Sequence, residues 1–492
     1  TIRLIQSPEE AQRGHQRIYV PVIGMQNKVS KFKDDPNIHI WEYRSGAEYD
    51  NYHLILTKGT TYGVKGLEEH YTLCEDLRHW IALWKNVGAK IKPQIICTSK
   101  CIFANSNNAQ PDNAFKYTIC NNAFEFLTKG LRIDFGKLNA REEEMPYWEE
   151  LASNIDVADF DFDAFVNQRF NTSSLNEENA FVQTWFEYRD EFSRWLLKTY
   201  FVWKTEECNY LIRVLENVAS LGSSDLFSQI ATQIFEEPLD ESSISQRLAL
   251  LREAKRQHVQ ITSLAEQKVK AKLSAMAADP ERGPLFAMKY MSPLTLSEQC
   301  LMTEWVGHGK IEKNYIKILF PELYAYLLPS SVQTEKVNGW INEYFQEYCL
   351  SKVGNSQTEN LANKLKELNA SQVSFETWRN GFKTVKTFMH NRQDIDIYYW
   401  IDGLGVDWIP FIAQVVEKHK ADGVFLNEIY VAASELPTVT SVNKTKLDEM
   451  TDGKLEKIGD VDKFAHTPKK YPAYLIEEFR IVEEAISKVL SL

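Results

Sequence analysis

The stretch IDIYYWIDGLGVDW, residues 395–408, decides the fold of the C-terminal part of this chain. Its first seven residues are mostly β-branched or aromatic, which is typical of a strand, and the run is too continuous for a strand with one face in solvent. We therefore expect residues 395–401 to form a central strand that is buried on both faces. Asp402 ends this strand, and Gly403 and Gly405 allow the backbone to turn sharply beside it.

Asp402 is a candidate cation ligand because ligands bind at the carboxyl ends of strands in α/β proteins. An ordinary Asp-Gly turn is the alternative interpretation. The pair Gly403-x-Gly405 half-matches a dinucleotide-binding fingerprint, but Trp408 occupies the third glycine position and Asp402 would repel a pyrophosphate. Asp407 is expected to cap a helix over residues 408–420, with Pro410 in its first turn.

The second informative stretch is LPTVTSVNK, residues 436–444, which follows a predicted strand over residues 424–433 and precedes a helix. Hydroxyl groups at a helix N-terminus lie beside free backbone N–H groups, an environment that suits a hydroxyl attacking phosphorus. A Thr or Ser that merely caps the helix is the alternative. If residues 395–401 and 424–433 are neighbouring parallel strands, the side chains of Asp402 and Thr440 lie within about 7 Å of each other.

Together the two stretches resemble the start of the PglZ domain, a branch of the alkaline phosphatase superfamily found in the phage-exclusion systems called BREX. In that family an apolar strand ends in an Asp-Gly-Leu-Gly-like sequence, and a Leu-Pro-Thr/Ser-x-Thr segment follows some tens of residues later. The resemblance implies that Asp402 ligates a metal. It also implies that Thr440 is the nucleophile and a second metal contact, with Thr438 as the alternative nucleophile.

The same resemblance implies a metal-dependent phosphatase or phosphodiesterase, with nuclease activity as one form of it, that acts in antiviral defence. Its cofactor would be zinc or another divalent cation in a two-metal site. Its partners would be other BREX proteins, such as the DNA methyltransferase of the system, and nucleic acid is a further candidate. The alternative is a non-catalytic scaffold of a multiprotein BREX complex.

Members of the superfamily complete the metal site with further Asp and His residues, whereas His466 is the only histidine after Thr440 in this sequence. We therefore expect the 492 residues to hold only the opening of the domain, to bind metal weakly and to show negligible phosphodiesterase turnover. The apolar stripe of residues 474–489, which includes Phe479, is expected to cover the predicted strands or to contact a partner.

The rest of the chain predicts an α/β plus all-α architecture. Residues 1–145 read as an N-terminal α/β domain with strands near residues 18–23, 39–43, 52–57 and 93–98 and a helix over residues 67–87. Residues 146–330 read as a helical domain, residues 331–392 as a helical connector, and residues 393–492 as the beginning of an alkaline-phosphatase-like α/β domain. One long helix over residues 243–276 carries basic side chains at Arg252, Lys255, Arg256, Lys268, Lys270 and Lys272.

Composition narrows the class of protein. The net charge of −12 excludes nucleic-acid binding through bulk charge, so any such contact needs a local basic patch. No run approaches ~18 apolar residues and the first residues do not resemble a signal peptide, so we expect a cytoplasmic protein without a membrane span. The seven scattered cysteines indicate reduced thiols, and Cys97-x-x-x-Cys101 with Cys120 has an atypical spacing for structural zinc.

Overall fold

A computed structural model describes residues 26–38 and 53–98 with gaps, residues 116–175, 177–205, 209–236, 240–330, 340–370 and 380–389, and residues 395–491 apart from 396 and 469. The chain divides into two compact units, residues 1–208 and residues 209–492. The architecture is mixed α/β with a high helical content and a small parallel sheet, as the sequence predicts.

The first unit contains a parallel sheet of four strands: β1 His53–Leu56, β2 Thr72–Cys74, β3 Gln94–Cys97 and β4 Lys116–Ile119. The strand order is β2-β3-β1-β4, and β1 pairs in register with β3 and β4, so that Leu54 lies opposite Ile95 and Tyr117. Leu54, Ile55, Ile95 and Ile96 are almost fully buried. The two central strands therefore form the core of this sheet, as expected where parallel strands are covered on both faces.

The single helix predicted over residues 67–87 is wrong, although residues 78, 79 and 82 within that range are helical. The helix that begins there ends at His70, and residues 72–74 form β2, which pairs with β3. Leu73 was counted in the helical stripe, but its backbone is hydrogen-bonded in the sheet, so tertiary pairing overrides the local periodicity. The predicted strands at residues 18–23 and 39–43 lie outside the described residues.

Short helices surround this sheet and continue into an aromatic core. The helices of the first unit are α1 Gln26–Val29, α2 Leu67–His70, α3 Ala123–Glu125, α4 Met145–Asn154, α5 Phe162–Phe170, α6 Glu178–Glu187 and α7 Glu191–Lys204. Trp148 stacks edge-on against Trp195 with 4.9 Å between ring centroids, and both indoles are buried. Asp190 caps α7 by accepting a hydrogen bond from the Ser193 N–H, which separates α7 from α6.

The second unit begins with a helical array. Its helices are α8 Tyr210–Asn217, α9 Ser223–Thr232, α10 Glu241–Arg256, α11 Ser263–Ala277, α12 Gly283–Met288, α13 Leu296–Gly307, α14 Pro321–Tyr326, α15 Trp340–Gly354 and α16 Glu359–Ala370. The single helix predicted over residues 243–276 is wrong, because α10 ends at Arg256 and α11 begins at Ser263. His258 has a positive φ of 56°, and the Thr262 side chain caps α11 by accepting from the Ala265 N–H.

A buried ion pair joins two helices of this array. Arg247 of α10 donates to Glu298 of α13 at 3.1 Å, and both side chains are almost completely buried. The remaining lone pairs of Glu298 accept from the Ser292 backbone N–H and from the hydroxyl groups of Ser292 and Thr295. Because the carboxylate is fully hydrogen-bonded, burial of this pair is tolerated.

The C-terminal part of the second unit contains a two-stranded parallel sheet, β5 Tyr398–Ile401 and β6 Leu455–Ile458. Its helices are α17 Val385–Met389, α18 Ile409–Lys418, α19 Thr440–Met450, α20 Asp460–Ala465 and α21 Ala473–Leu490. The predicted partner strand at residues 424–433 is wrong: these residues form no strand, and only Ala433 makes a bridge, to Thr384. The expectation that β5 is buried on both faces is also wrong, because all four of its residues are half-buried.

The C-terminal helix α21 buries Phe479 as expected and packs mainly against the helices α13, α18 and α20. The Phe479 ring contacts the rings of Phe320, Tyr326, Trp408 and Phe411, at centroid distances of 5.4 to 5.9 Å. Trp408 and Phe411 belong to the turn and helix that follow the Asp402 loop, so α21 supports that loop from the helical side. None of the described helices is long and apolar enough to cross a membrane.

Candidate active site at Asp402 and Thr440

Asp402 is held at the carboxyl end of β5 by backbone hydrogen bonding. Its N–H donates to the Ile458 carbonyl at 3.1 Å, which extends the pairing of β5 and β6 by one residue. Gly403 follows with a φ of +82°, and a Cβ at this position would lie 3.1 Å from the backbone of Asp462. Glycine is therefore required both by the left-handed backbone and by the close approach of α20. The carboxylate of Asp402 is largely buried as a result.

Thr440 reaches this carboxylate from the first turn of α19. Its Oγ1 lies 3.2 Å from Asp402 Oδ1 and 3.1 Å from Asp402 Oδ2, a distance well inside the expected 7 Å. Thr440 is not a capping residue, since the N-cap position is occupied by Val439. Thr438, the alternative nucleophile, is exposed, and within the described part of the chain no hydrogen bond links it to Asp402.

Asn443 positions Thr440, and the sequence did not single it out. Its side-chain N–H groups donate to the carbonyls of Glu435 and Val439, at 3.1 and 3.2 Å, and its Oδ1 accepts from the Glu435 N–H at 2.7 Å. Asn443 is buried, so these bonds fasten the loop before α19 to the helix itself. The direction of the Thr440 side chain is thereby fixed relative to β5.

Lys457 is a third member of the site that sequence reasoning missed. It lies opposite Trp400 in the β5–β6 register, and its Nζ is 2.8 Å from Asp402 Oδ2. Burial alone would raise the pKa of Asp402, but hydrogen bonds from Lys457 and Thr440 outweigh burial and hold the pKa below its ordinary value. Asp402 is therefore a carboxylate at neutral pH. The only sequence signal for Lys457 was the Asp452-Gly453 turn that precedes its short, charged strand.

Asp407 does not cap the following helix, so that expectation is wrong, although Pro410 does lie in the first turn of α18. The Asp407 carboxylate instead accepts a hydrogen bond from the Tyr326 hydroxyl at 2.7 Å and lies 3.5 Å from Lys352 Nζ. These contacts tie the loop that follows Asp402 to helices α14 and α15. Asp407 thus has a structural role and faces away from the Asp402–Thr440 pair, toward the helical core.

Lys352 is shared between two buried carboxylates. Its Nζ lies 3.0 Å from Glu478 Oε2 as well as near Asp407, and it sits 4.9 Å from the centroid of the Trp408 ring. Burial would lower the pKa of Lys352, but Glu478 and Asp407 together raise it. Burial also raises the pKa of Glu478, which the Lys352 ammonium only partly offsets. The network connects the loop of the site with α15 and α21.

The oxygen donors of Asp402 and Thr440 suit a divalent cation, but on their own they are too few to hold one firmly. Among the described residues, no group of three or more His, Cys, Asp or Glu side chains forms a metal site. His466 is exposed and lies 3.6 Å from Asp462. Within the described part of the chain, the positive charge beside Asp402 is the Lys457 ammonium, and a cation there would need further ligands.

The remaining candidates from the sequence carry less chemistry. Cys97 and Cys120 are buried at the carboxyl edge of the first sheet, whereas Cys101 lies outside the described residues. On the predicted basic surface, Lys268 and Lys272 both pair with Glu236, and Lys270 pairs with Glu304. Their charges are thus partly compensated by carboxylates of neighbouring elements.

Comparison of the chain with family models, curated proteins and solved structures gives no match, so the case for its function rests on the residues and geometry described above.

Proposed function

We propose that this chain carries the opening part of a phosphoric ester hydrolase site of the PglZ type, with Asp402 as a metal ligand and Thr440 as the nucleophile. The proposed substrates are phosphate mono- or diesters, including nucleic acid. The proposed cellular role is that of a cytoplasmic anti-phage component that works with other BREX proteins, such as a DNA methyltransferase. The proposal rests on the two motifs and on the geometry that joins them.

The observation that carries the proposal is the position of the Thr440 hydroxyl against both oxygens of Asp402, at 3.2 and 3.1 Å. The two residues are 38 positions apart and come from a strand end and a helix start. A hydroxyl at the N-terminus of α19 lies near free backbone N–H groups, and an alkoxide that forms there is stabilised by the helix dipole. This is the arrangement that the motif interpretation requires.

Each residue of the chain has a definite task in this proposal. Asp402 stays ionised and orients the Thr440 hydroxyl by accepting a hydrogen bond from it. A bound divalent cation would lower the pKa of a coordinated hydroxyl and neutralise charge on a phosphate. Asp402 and Thr440 would contact such a cation, and its other ligands would have to come from residues outside those described. Gly403 and Asn443 hold the two reacting side chains in place.

The test is hydrolysis of a chromogenic phosphodiester by the protein, including any residues that follow position 492 in its gene. Thr440→Ala should reduce turnover by about six orders of magnitude, the scale at which loss of a nucleophile acts. Thr438→Ala, two residues before Thr440 and without a hydrogen bond to Asp402 in the described part of the chain, serves as the matched control and should leave turnover unchanged. Equal activity of Thr440→Ala and the wild type would refute the assignment, and loss of activity in Thr438→Ala alone would transfer it to Thr438.

A non-catalytic scaffold is the second candidate, and Lys457 favours it. An ammonium group 2.8 Å from Asp402 already neutralises the carboxylate without any metal. Under this proposal Asp402, Thr440 and Lys457 stabilise the β5–β6 edge, and the protein organises partner proteins of a BREX complex. The Thr440→Ala and Asp402→Asn variants would then support phage exclusion in cells as well as the wild type does, whereas the hydrolase proposal expects both to fail.

A further inference from the structure

A cavity of about 210 Å³ lies in the helical array of the second unit, where the end of α11 meets α12. Its apolar wall consists of the rings of Phe235, Phe286 and Tyr290 and the side chain of Met276. Phe286 meets Tyr290 edge-on at 5.7 Å between ring centroids, and Phe235 stacks on Tyr290 at 6.3 Å. Clefts that hold drug-sized ligands measure about 300–1,000 Å³, so this cavity suits a small molecule with a single ring.

The aromatic wall is fixed from the interior of the array by the buried Arg247. Its guanidinium lies 5.7 Å from the centroid of the Phe235 ring and donates to the backbone carbonyl of Tyr290 at 3.2 Å. Arg247 is itself held by its ion pair with Glu298. Because these contacts fix Phe235 and Tyr290 without any ligand, the cavity is preformed, and little ordering is needed when a ligand binds.

Two opposite charges line the cavity without pairing with each other. The Arg282 guanidinium lies 4.8 Å from the centroid of the Phe286 ring and forms no ion pair with any described residue. Asp279 uses Oδ1 to accept from the N–H groups of Glu281 and Arg282, which fixes the turn before α12. Among the described residues, nothing donates a hydrogen bond to its Oδ2. Both charges are therefore available to a ligand.

The other charges at the cavity leave an excess of positive charge. The ammonium groups of Lys272, which lines the cavity, and of Lys268 both lie 3.3 Å from the same oxygen of Glu236. One carboxylate cannot neutralise two ammonium groups and Arg282 as well. Of the described residues that line the cavity, Asp279 alone is negative. A ligand that matches this lining carries a carboxylate, a positive group for Asp279 and an apolar ring.

We propose that this cavity binds a free aromatic amino acid as its zwitterion. The ring of the ligand packs against the aromatic wall, its carboxylate pairs with Arg282, and its ammonium group pairs with Asp279 Oδ2. A guanidinium suits a carboxylate because its planar fork donates two parallel hydrogen bonds. A ligand that lacks either charge leaves Asp279 or Arg282 without its partner, so the two charges together give specificity. None of these residues belongs to the Asp402 site, and the inference does not depend on the function proposed for that site.

The test is calorimetric titration of the 492-residue chain with L-phenylalanine. A dissociation constant on the order of 1 mM is expected for a ligand of this size. Three further ligands each lack one group: phenylpropanoate lacks the ammonium, phenethylamine lacks the carboxylate, and L-alanine lacks the ring. Each should bind about tenfold more weakly than L-phenylalanine or worse. No saturable binding of L-phenylalanine at about twenty times the expected dissociation constant, or equal binding of phenylpropanoate, would overturn the proposal.

Variants show whether the ligand occupies this cavity. Arg282→Met should weaken L-phenylalanine binding about tenfold and should not weaken phenethylamine, which has no carboxylate. Asp279→Asn keeps an acceptor for the two backbone N–H groups but removes the charge, so it should weaken L-phenylalanine and not phenylpropanoate. Lys289→Met removes an exposed lysine just after α12 that does not line the cavity, and it should leave every affinity unchanged. If L-phenylalanine binds equally well to the Arg282→Met and Asp279→Asn variants, it binds elsewhere and the proposal is wrong.

Discussion

Replacing Lys352 by Met should destabilise the second unit strongly. The Lys352 ammonium is 17% exposed and is the cation that faces both Asp407 and Glu478, which are themselves largely buried. Removing one partner of a buried pair leaves an uncompensated charge and costs about 3–5 kcal/mol. The lost contact with the Trp408 ring adds about 1 kcal/mol, since the cation–π interaction is partly desolvated. We therefore expect the free energy of unfolding to fall by about 4–6 kcal/mol at pH 8.

The destabilisation caused by Lys352→Met should be larger at high pH than at low pH. The pKa of Glu478 is raised above its ordinary value of 4.5 in the folded protein, so ionising Glu478 opposes folding. The protonated carboxyl therefore contributes stability at low pH that is lost as the pH rises through the folded pKa. Without Lys352 this pKa rises further, and each unit of pKa is worth about 1.4 kcal/mol. Lys352→Met should thus be less destabilising at pH 5 than at pH 8 by more than about 1 kcal/mol.

The measurement is chemical denaturation at both pH values, together with hydrogen exchange of helix α21 to report on the second unit. Adding Glu478→Gln to Lys352→Met should recover part of the loss, because it removes one of the two unpaired charges. Lys418→Met is the matched control. Lys418 of α18 pairs with Glu483, which lies on α21 like Glu478, but the Lys418 side chain is 41% exposed, so its replacement should cost less than about 1 kcal/mol. A loss as small as that of Lys418→Met, or no recovery in the double variant, would refute the reasoning.

Two further predictions concern the supports of the site. Phe479→Asp should lower the free energy of unfolding by about 4 kcal/mol or more, because it forces an unpaired charge into the aromatic cluster around Trp408. Phe479→Leu should lower it by about 1.5 kcal/mol. An unchanged melting temperature in the Asp variant would contradict this. Gly403→Ala should cost about 1–3 kcal/mol more than Gly423→Ala in denaturation experiments. Both glycines have a positive φ, of 82° and 85°, but only at Gly403 would the new Cβ meet another backbone, so equal costs would show that the approach of Asp462 does not matter.

The proximity of Asp402 and Thr440 was predicted correctly, whereas the strands around them were not. The two residues were paired in advance through the family resemblance and through an expected neighbouring strand at residues 424–433 that does not exist; in the structure the first turn of α19 brings Thr440 to the end of β5 instead. Residues 424–433 carry an apolar pattern that is typical of a strand, yet Phe425, Leu426 and Tyr430 are exposed in the structure. The true partner of β5 is Leu455–Ile458, a short strand with two charged residues and no strong apolar pattern.

Pairing of this kind depends on contacts between distant residues, which a local pattern does not contain. The same reason explains β2, where Leu73 fits a helical stripe but is recruited by β3. Lys457 and Asn443 were missed because the contacts that give each its role exist only after β6 and α19 are in place. Lys457 lies outside both quoted stretches, Asn443 lies in the second one but after its Leu-Pro-Thr-x-Thr segment, and a lysine in a strand or an asparagine in a helix is ordinarily solvated.

Asn443 sets the effective concentration of the Thr440 hydroxyl at Asp402. Two groups at the ends of a flexible connection of 38 residues would meet at no more than a millimolar effective concentration. The hydrogen bonds of Asn443 to Glu435 and Val439 remove the freedom of the last part of that connection before the hydroxyl is reached. A side chain that does not touch the carboxylate thus determines how much of the time the Thr440 hydroxyl is aligned with it, and the loss of orientational entropy is met during folding.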